Sequence, residues 1–160
     1  MTDEPARNEA EPGEDLDQEW EELLQEHRVA MPGAQVLFTF LLILPFQNRF
    51  ADLTTVQEYV YFAAFACAAI AIVLLITPTA GHRMRWRQQD KEVLLHYASK
   101  TSIAALVFLA LAMSASVFVV AGFLFGPAAT AVSTAVIAVL FLWFWFTRPA
   151  LRRLHDRARS

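Results

Sequence analysis

The sequence predicts an all-α integral membrane protein, a four-helix bundle preceded by a cytoplasmic amphipathic helix. Of its 160 residues, 56% are hydrophobic, and the mean hydropathy is positive. Four apolar stretches approach or exceed the length that crosses a bilayer, because about 20 residues at about 1.5 Å each match a hydrocarbon core of about 30 Å. The charged residues are concentrated in the segments that flank these stretches, as expected for loops and tails outside a membrane.

The N-terminal segment is acidic. Residues 1–28 contain eleven acidic residues and two arginines, whereas the rest of the chain contains five acidic residues and eleven lysines and arginines. Residues 1–14 hold too few apolar side chains to offset the entropy of ordering, so we predict a disordered tail. Over residues 15–31, apolar side chains recur at helical spacing among glutamates, which predicts a cytoplasmic amphipathic helix. We expect this helix to dock on the basic inner segments rather than on anionic lipid.

The transmembrane domain is predicted over residues 32–147. It begins where Pro32 and Gly33 interrupt the amphipathic pattern, because proline favours the first turn of a new helix. Pro45, near the end of the first span, lacks an N–H group and should free the carbonyl of Leu41. Thr55 and Glu58 have the spacing of a capping box at the start of the second helix. The four spans are predicted at about 34–50, 56–76, 103–125 and 128–146.

The distribution of basic residues predicts the orientation. Twelve of the 13 lysines and arginines lie in the N-terminal segment, the loop between spans two and three, and the basic tail, residues 148–160. Cytoplasmic segments are enriched in these residues, so we expect a multi-pass protein of the inner or plasma membrane with both termini in the cytoplasm. A nucleic-acid patch would explain the arginines near Trp86 less well than anchoring to headgroups. The predicted anchoring residues are Arg83, Arg85, Trp86, Arg87, Trp143 and Trp145.

The polar residues near and within the spans give the candidate ligand or transport sites. No Asp, Glu, Lys, Arg or His lies in the interior of a span, although ion pathways usually need such groups. Gln35 is expected to point into the bundle, because an amide facing lipid is costly. Arg49, in the sequence LPFQNRF, is expected to snorkel and to pair with Asp52 or Glu58; the alternative is a site for an external anion or substrate. The candidates are therefore Gln35, Gln47, Arg49 and Glu58.

Enzymatic and metal sites find little support in the sequence. Cys67 is the only cysteine, which excludes an intrachain disulfide bond or a cysteine-based zinc site. The four histidines show no metal-ligand spacing, and no phosphate loop or nucleophile motif is present. We therefore expect no cofactor and no enzymatic activity. Pairs of small residues four apart, such as Ala64 and Ala68, favour close helix packing within a bundle or an oligomer.

Two segments of the chain resemble a family of small actinobacterial membrane proteins of unknown function. These are ELLQEHRVAMPGAQVLFTFLLILPFQNRF, residues 22–50, and TPTAGHR, residues 77–83. The likeness extends over roughly residues 19–154, and the blocks ELLQEHRV and FQNRF are its most specific parts. The family position at His27 is more usually apolar. Some members are labelled sodium:proton antiporters, but the resemblance implies topology more than activity.

These observations lead to two functional hypotheses. The first is a non-enzymatic membrane component that acts as an oligomer or as an accessory to another membrane protein, with the lipid bilayer as its surroundings and no nucleic-acid partner. The alternative is a cation/proton (sodium:proton) antiporter. Antiport would require carboxylates from the ends of spans to meet in an oligomer, because the spans themselves carry none.

Overall fold

The computed structural model describes residues 12–84 and 91–147, and the side chains of residues 18, 21–77 and 96–144. This part of the chain contains helices and no strands. Two 3₁₀ turns connect the first helix to the second, and the fourth continues as a π-helical segment, Leu142–Thr147. The helices are α1 (Pro12–Ile43), α2 (Thr55–Met84), α3 (Lys91–Leu124) and α4 (Pro127–Phe141).

Four helical stretches within the described residues are long and apolar enough to cross a membrane. They are Glu21–Phe46, Thr55–Thr77, His96–Leu124 and Pro127–Phe144. The prediction of an all-helical protein with four candidate spans is therefore confirmed at the level of length and composition. The cytoplasmic location and amphipathic character of residues 15–31 stay predictions.

The helix break expected at Pro32 and Gly33 is wrong. Helix α1 runs continuously through both residues, although Pro32 cannot donate a hydrogen bond to the carbonyl of Arg28. The candidate span therefore begins before Pro32, at Glu21, whereas the sequence prediction begins it near residue 34.

Packing on both sides of Pro32 explains why α1 stays helical. His27, Ala34 and Leu41 are all buried, and they lie seven residues apart along the helix. A seven-residue repeat keeps one side of a helix against its neighbours over several turns. The buried stripe passes Pro32 without a change of phase, while the Pro32 ring itself points away and is exposed. Tertiary contacts thus offset the cost of the missing hydrogen bond.

Alanine lines the most extensive helix–helix contact of the described residues, which is between α2 and α3. The buried alanines of α2, Ala64, Ala68 and Ala71, are spaced by four and three residues, and they include the predicted pair Ala64 and Ala68. Small side chains let two helix backbones approach closely, and this gain in dispersion contacts stabilises helices that pack within lipid. The fully buried alanines are Ala34, Ala64, Ala68, Ala71, Ala98, Ala105 and Ala112.

The fourth helix does not complete a closed bundle. Helices α1, α2 and α3 all contact one another, whereas α4 contacts only α3 among the helices of the described part. The bundle expected from the sequence is therefore a three-helix core with a fourth helix at its side. Because α1 and α4 do not meet, one side of α3 stays open between them, with hollows on its α1 side and on its α4 side; we call this open side the cleft.

Candidate functional site: the cleft between α1 and α4

Three adjoining hollows form this cleft, and all of them are lined in part by Val120 of α3. The first, at the end nearest the loop between α1 and α2, has a volume of about 250 Å³ and reaches from Leu44 to Leu124. The second, of about 200 Å³, lies deeper, against Phe40 and Tyr61. The third, of about 520 Å³, lies between α3 and α4. The cleft walls are almost entirely apolar.

Arg49 lies at the loop end of the cleft. Its Nε is 3.5 Å from Oδ2 of Asp52, and its guanidinium carbon is 4.5 Å from the centre of the Phe123 ring. Of the two acidic partners expected from the sequence, the structure therefore shows Asp52. The Arg49 side chain is 73% exposed, so the ion pair contributes at most about 1 kcal/mol. Phe123 restricts the guanidinium to the rim of the cleft, where it can meet a ligand.

Gln47 lines the same hollow as Arg49. The N–H of Gln47 donates to the carbonyl of Leu44, and its own carbonyl accepts from the N–H of Phe50. The backbone of Gln47 thus links the two 3₁₀ turns, while its side chain is exposed. Two of the four sequence candidates, Gln47 and Arg49, are brought together here.

The prediction that Gln35 points into the bundle is wrong: its side chain is exposed on the surface of α1. Nine residues, which make two and a half helical turns, separate it from Leu44 in the cleft, so the two side chains point in opposite directions. Thr39, one turn along, is also exposed, and its hydroxyl donates to the carbonyl of Gln35 over 2.8 Å. The side of α1 that packs is set by the buried stripe, which a single polar residue cannot redirect.

Glu58 is exposed in the first turn of α2, and the predicted capping box is displaced by one residue. Thr54, not Thr55, precedes the helix, and its N–H donates to Oε1 of Gln57 over 2.8 Å. In turn, the N–H of Gln57 donates a hydrogen bond to Oγ1 of Thr54 over 3.4 Å. The sequence TTVQE contains two overlapping pairs with this spacing, and only the burial of Gln57 decides between them. Of the four candidates, Gln47 and Arg49 line one hollow, whereas Gln35 and Glu58 do not line it.

Gln57 also marks the place where three helices meet. A Cβ atom added to Gly122 of α3 would lie 2.8 Å from Nε2 of Gln57 and 3.6 Å from Oγ1 of Thr130 in α4. Both polar residues are buried. The absence of a side chain at Gly122 therefore lets α2 and α4 approach α3 at the loop end, and the sequence reading had given this glycine no role.

The carbonyl that Pro45 leaves without a helical partner has one from another helix. The hydroxyl of Tyr61, a buried residue of α2, donates to the carbonyl of Leu41 over 2.7 Å. The ring of Tyr61 also packs edge-on against Phe50, with the ring centres 5.1 Å apart. The sequence predicts that this carbonyl lacks its helical partner. It does not predict which group donates to it, because Tyr61 lies twenty residues away along the chain.

His27 joins α1 to α3 at the other end of the core. Its Nδ1 is 2.7 Å from the carbonyl of Leu23, so this nitrogen must donate. Its Nε2 is 3.0 Å from Oγ of Ser102, which lies 2.7 Å from the carbonyl of Ala98. Ser102 can donate to neutral His27, or donate to Ala98 and accept from the imidazolium. Either charge state therefore keeps the link between the helices.

Replacement of His27 by alanine is expected to lower the free energy of unfolding by about 1 kcal/mol, because the link to Ser102 is lost. Ser102→Ala should cost a similar amount, and the double variant should cost less than the sum. Unfolding of the purified protein in mixed micelles, followed by circular dichroism, measures these losses. His96→Ala, at an exposed position, is the control. Additive losses would show that the two residues do not act together.

Most of the predicted membrane anchors lie outside the described part of the chain. This holds for Arg85, Trp86 and Arg87 and for the side chains of Arg83 and Trp145, whereas Trp143 is exposed. The basic tail from residue 148 and most of the predicted disordered tail, residues 1–14, also lie outside it; residues 12–14 belong to α1, so the prediction of disorder is wrong for them. Among the described residues, no group of three or more His, Cys, Asp or Glu side chains could hold a metal ion.

Comparison with known proteins gives one match. A family model described as "Family of unknown function (DUF6328)" matches residues 9–149. No curated protein and no solved structure matches the chain.

Proposed function

The chain belongs to the Family of unknown function (DUF6328), and we propose that it is a non-enzymatic membrane component that acts by self-association of its transmembrane helices. The observation that carries the proposal is the outward position of the Gln35 side chain on a helix long and apolar enough to cross a membrane. An amide that faces lipid has no hydrogen-bond partner there, whereas an amide at a helix–helix interface has one.

The continuity of α1 supports a position of Gln35 deep within the bilayer. Phe46, at the end of the candidate span, is exposed and suits the level of the headgroups. Gln35 precedes it by eleven residues, or about 16 Å of helix. In a hydrocarbon core of about 30 Å, this puts the amide near the middle, where water is absent. An unpaired amide is most costly at this depth, which supports a partner for it.

A second copy of the chain fits the side of α1 that carries Gln35. An amide both donates and accepts, so the Gln35 side chains of two parallel copies can pair across a twofold axis. Helices α1 and α4 have much surface that contacts no other helix. In the most apolar part of each candidate span, 11% of the residues of α1 and 6% of those of α4 are buried. The corresponding values are 28% for α2 and 22% for α3. The two outer helices thus leave most of their surface for lipid or for another copy.

We also propose that both termini lie on the cytoplasmic side of a plasma membrane. The excess of lysine and arginine in the N-terminal segment, the loop between α2 and α3, and the C-terminal tail supports this orientation. The loop end of the helices, with Arg49, then faces outward.

Gln35→Leu is expected to weaken self-association by about 3- to 30-fold, because each hydrogen bond between transmembrane helices contributes roughly 0.6–2 kcal/mol. Energy transfer between labelled copies, measured in vesicles over a range of protein-to-lipid ratios, gives the association constant. Val36→Leu is the matched control, since Val36 is the next residue along α1 and is also exposed.

Equal association constants for Gln35→Leu, Val36→Leu and the unchanged protein would refute the role of Gln35. A cysteine at position 35, with Cys67 replaced, adds a second readout: oxidation should give covalent dimers of this chain. Capture of a different membrane protein at position 35, with no such dimers, would make the chain an accessory subunit and would overturn self-association.

A further inference from the structure

The mouth of the cleft combines an apolar wall with a charged rim. The hollow there, of about 250 Å³, is lined by the side chains of Leu53, Val119 and Phe123 among others, and nearly all of the surface that it exposes is apolar. Arg49 also lines this hollow, Asp52 pairs with Arg49, and both side chains are more than 60% exposed. An apolar hollow that opens beneath a charged pair matches the two parts of a phospholipid.

The hollow at the mouth continues into a second one along the same side of α1. The two hollows share Leu44, Val119 and Val120, so they form one apolar path between α1 and α3. A hydrocarbon chain is thin and flexible enough to follow this path. This occupant is distinct from the second copy that we place at Gln35, on the opposite side of α1.

The charges at the rim favour a zwitterionic headgroup. Asp52 faces Nε of Arg49, which leaves the two terminal nitrogens of the guanidinium in the fork arrangement that binds phosphate oxygens. The carboxylate of Asp52 stays exposed beside the guanidinium. An ammonium group next to the phosphate can pair with this carboxylate, whereas a purely anionic headgroup places a second negative charge against it.

We propose that this mouth is a binding site for a phosphoethanolamine lipid of the leaflet at the loop end. One acyl chain occupies the hollow between α1 and α3, Arg49 binds the phosphate, and Asp52 receives the ammonium group. Phe123 holds the guanidinium in place from below. The proposal does not depend on self-association through Gln35.

Native mass spectrometry of the full chain in detergent, with phosphatidylethanolamine or phosphatidylglycerol of identical chains, tests the site. We expect phosphatidylethanolamine to bind more tightly to the unchanged protein. Arg49→Gln should lower that affinity about tenfold, because a charge-assisted hydrogen bond to phosphate is lost. Arg28→Gln removes another exposed arginine, far from the cleft, and should leave the affinity unchanged.

Asp52→Asn tests the contact with the ammonium group separately from the contact with the phosphate. It should reduce the preference for phosphatidylethanolamine over phosphatidylglycerol, because the carboxylate no longer meets the ammonium group, while Arg49 still binds phosphate. Equal loss in Arg49→Gln and Arg28→Gln, or tighter binding of phosphatidylglycerol to the unchanged protein, would overturn the proposal. Arg49 is exposed, so its replacement should not unfold the chain, and circular dichroism checks this. The energy transfer of labelled copies should stay the same in Arg49→Gln, which separates this test from that of Gln35.

Discussion

Replacement of Tyr61 by phenylalanine is expected to lower the free energy of unfolding by about 1–3 kcal/mol, because a buried carbonyl loses its donor. The change removes one oxygen atom and keeps the ring that packs against Phe50. The carbonyl of Leu41 then has neither Tyr61 nor an N–H at position 45 to meet it. In a medium without water, that loss has no substitute.

Pro45→Ala tests whether the proline is the reason for the bond. Alanine at position 45 supplies the N–H that the helix lacks, so the carbonyl of Leu41 regains a partner four residues away. We therefore expect Tyr61→Phe to cost clearly less in the Pro45→Ala background than in the unchanged protein. The difference between the two costs, measured by unfolding in mixed micelles, is the coupling free energy.

Tyr59→Phe provides the control for this cycle. Tyr59 is 74% exposed on the same helix, so the loss of its hydroxyl should change stability little. If Tyr61→Phe cost the same with either residue at position 45, the hydroxyl would not be compensating for the proline. The bond would then be only one of many packing contacts.

Gly122→Leu is expected to lower the free energy of unfolding by about 1–3 kcal/mol, through overpacking at the junction of three helices. Even the first added carbon would lie 2.8 Å from Nε2 of Gln57. That amide cannot turn aside freely, because its Oε1 accepts hydrogen bonds from the N–H and the hydroxyl of Thr54. A larger side chain must therefore break the cap of α2 or push α4 away from α3.

Gly33 gives the matched control for this substitution. It lies inside α1, and a Cβ atom there would meet nothing within 4 Å. Gly33→Ala should therefore be neutral or slightly stabilising, since alanine favours a helix over glycine by about 1 kcal/mol. The same unfolding assay measures both variants, and cysteine cross-linking between α3 and α4 reports whether α4 has moved. Unchanged stability and cross-linking in Gly122→Leu would show that the junction has room.

Local physical chemistry accounts for the features that were predicted correctly from the sequence. Long apolar stretches between charged segments predict helices that could span a membrane, because length and composition are properties of each segment alone. The freed carbonyl of Leu41 follows from the covalent structure of proline. The pairing of Arg49 with Asp52 joins residues only three apart, so one turn of the chain brings them together.

The incorrect predictions all concern which residues contact one another. Pro32 and Gly33 have the local character of a helix break, but α1 continues through them, and His27 and Ala34 on either side are buried against neighbouring helices. Two overlapping capping boxes begin α2, and burial of Gln57 selects one. His27 was given little weight because no metal-ligand spacing surrounds it, and its actual partner, Ser102, is 75 residues away.

The sequence by itself thus determined how many helices could cross a membrane, where these spans end to within a few residues, and which carbonyl lacks a partner. These depend on interactions within a few residues of chain. The sequence did not determine where the first and third spans begin, which is at Glu21 and His96 and not near residues 34 and 103. Only the tertiary structure decided that Gln35 faces outward, that Tyr61 meets the freed carbonyl, and that α4 lies beside α3 alone and leaves a cleft under Arg49. Apolar helices within lipid gain little from the hydrophobic effect, so shape and hydrogen bonds between distant residues determine which sides meet.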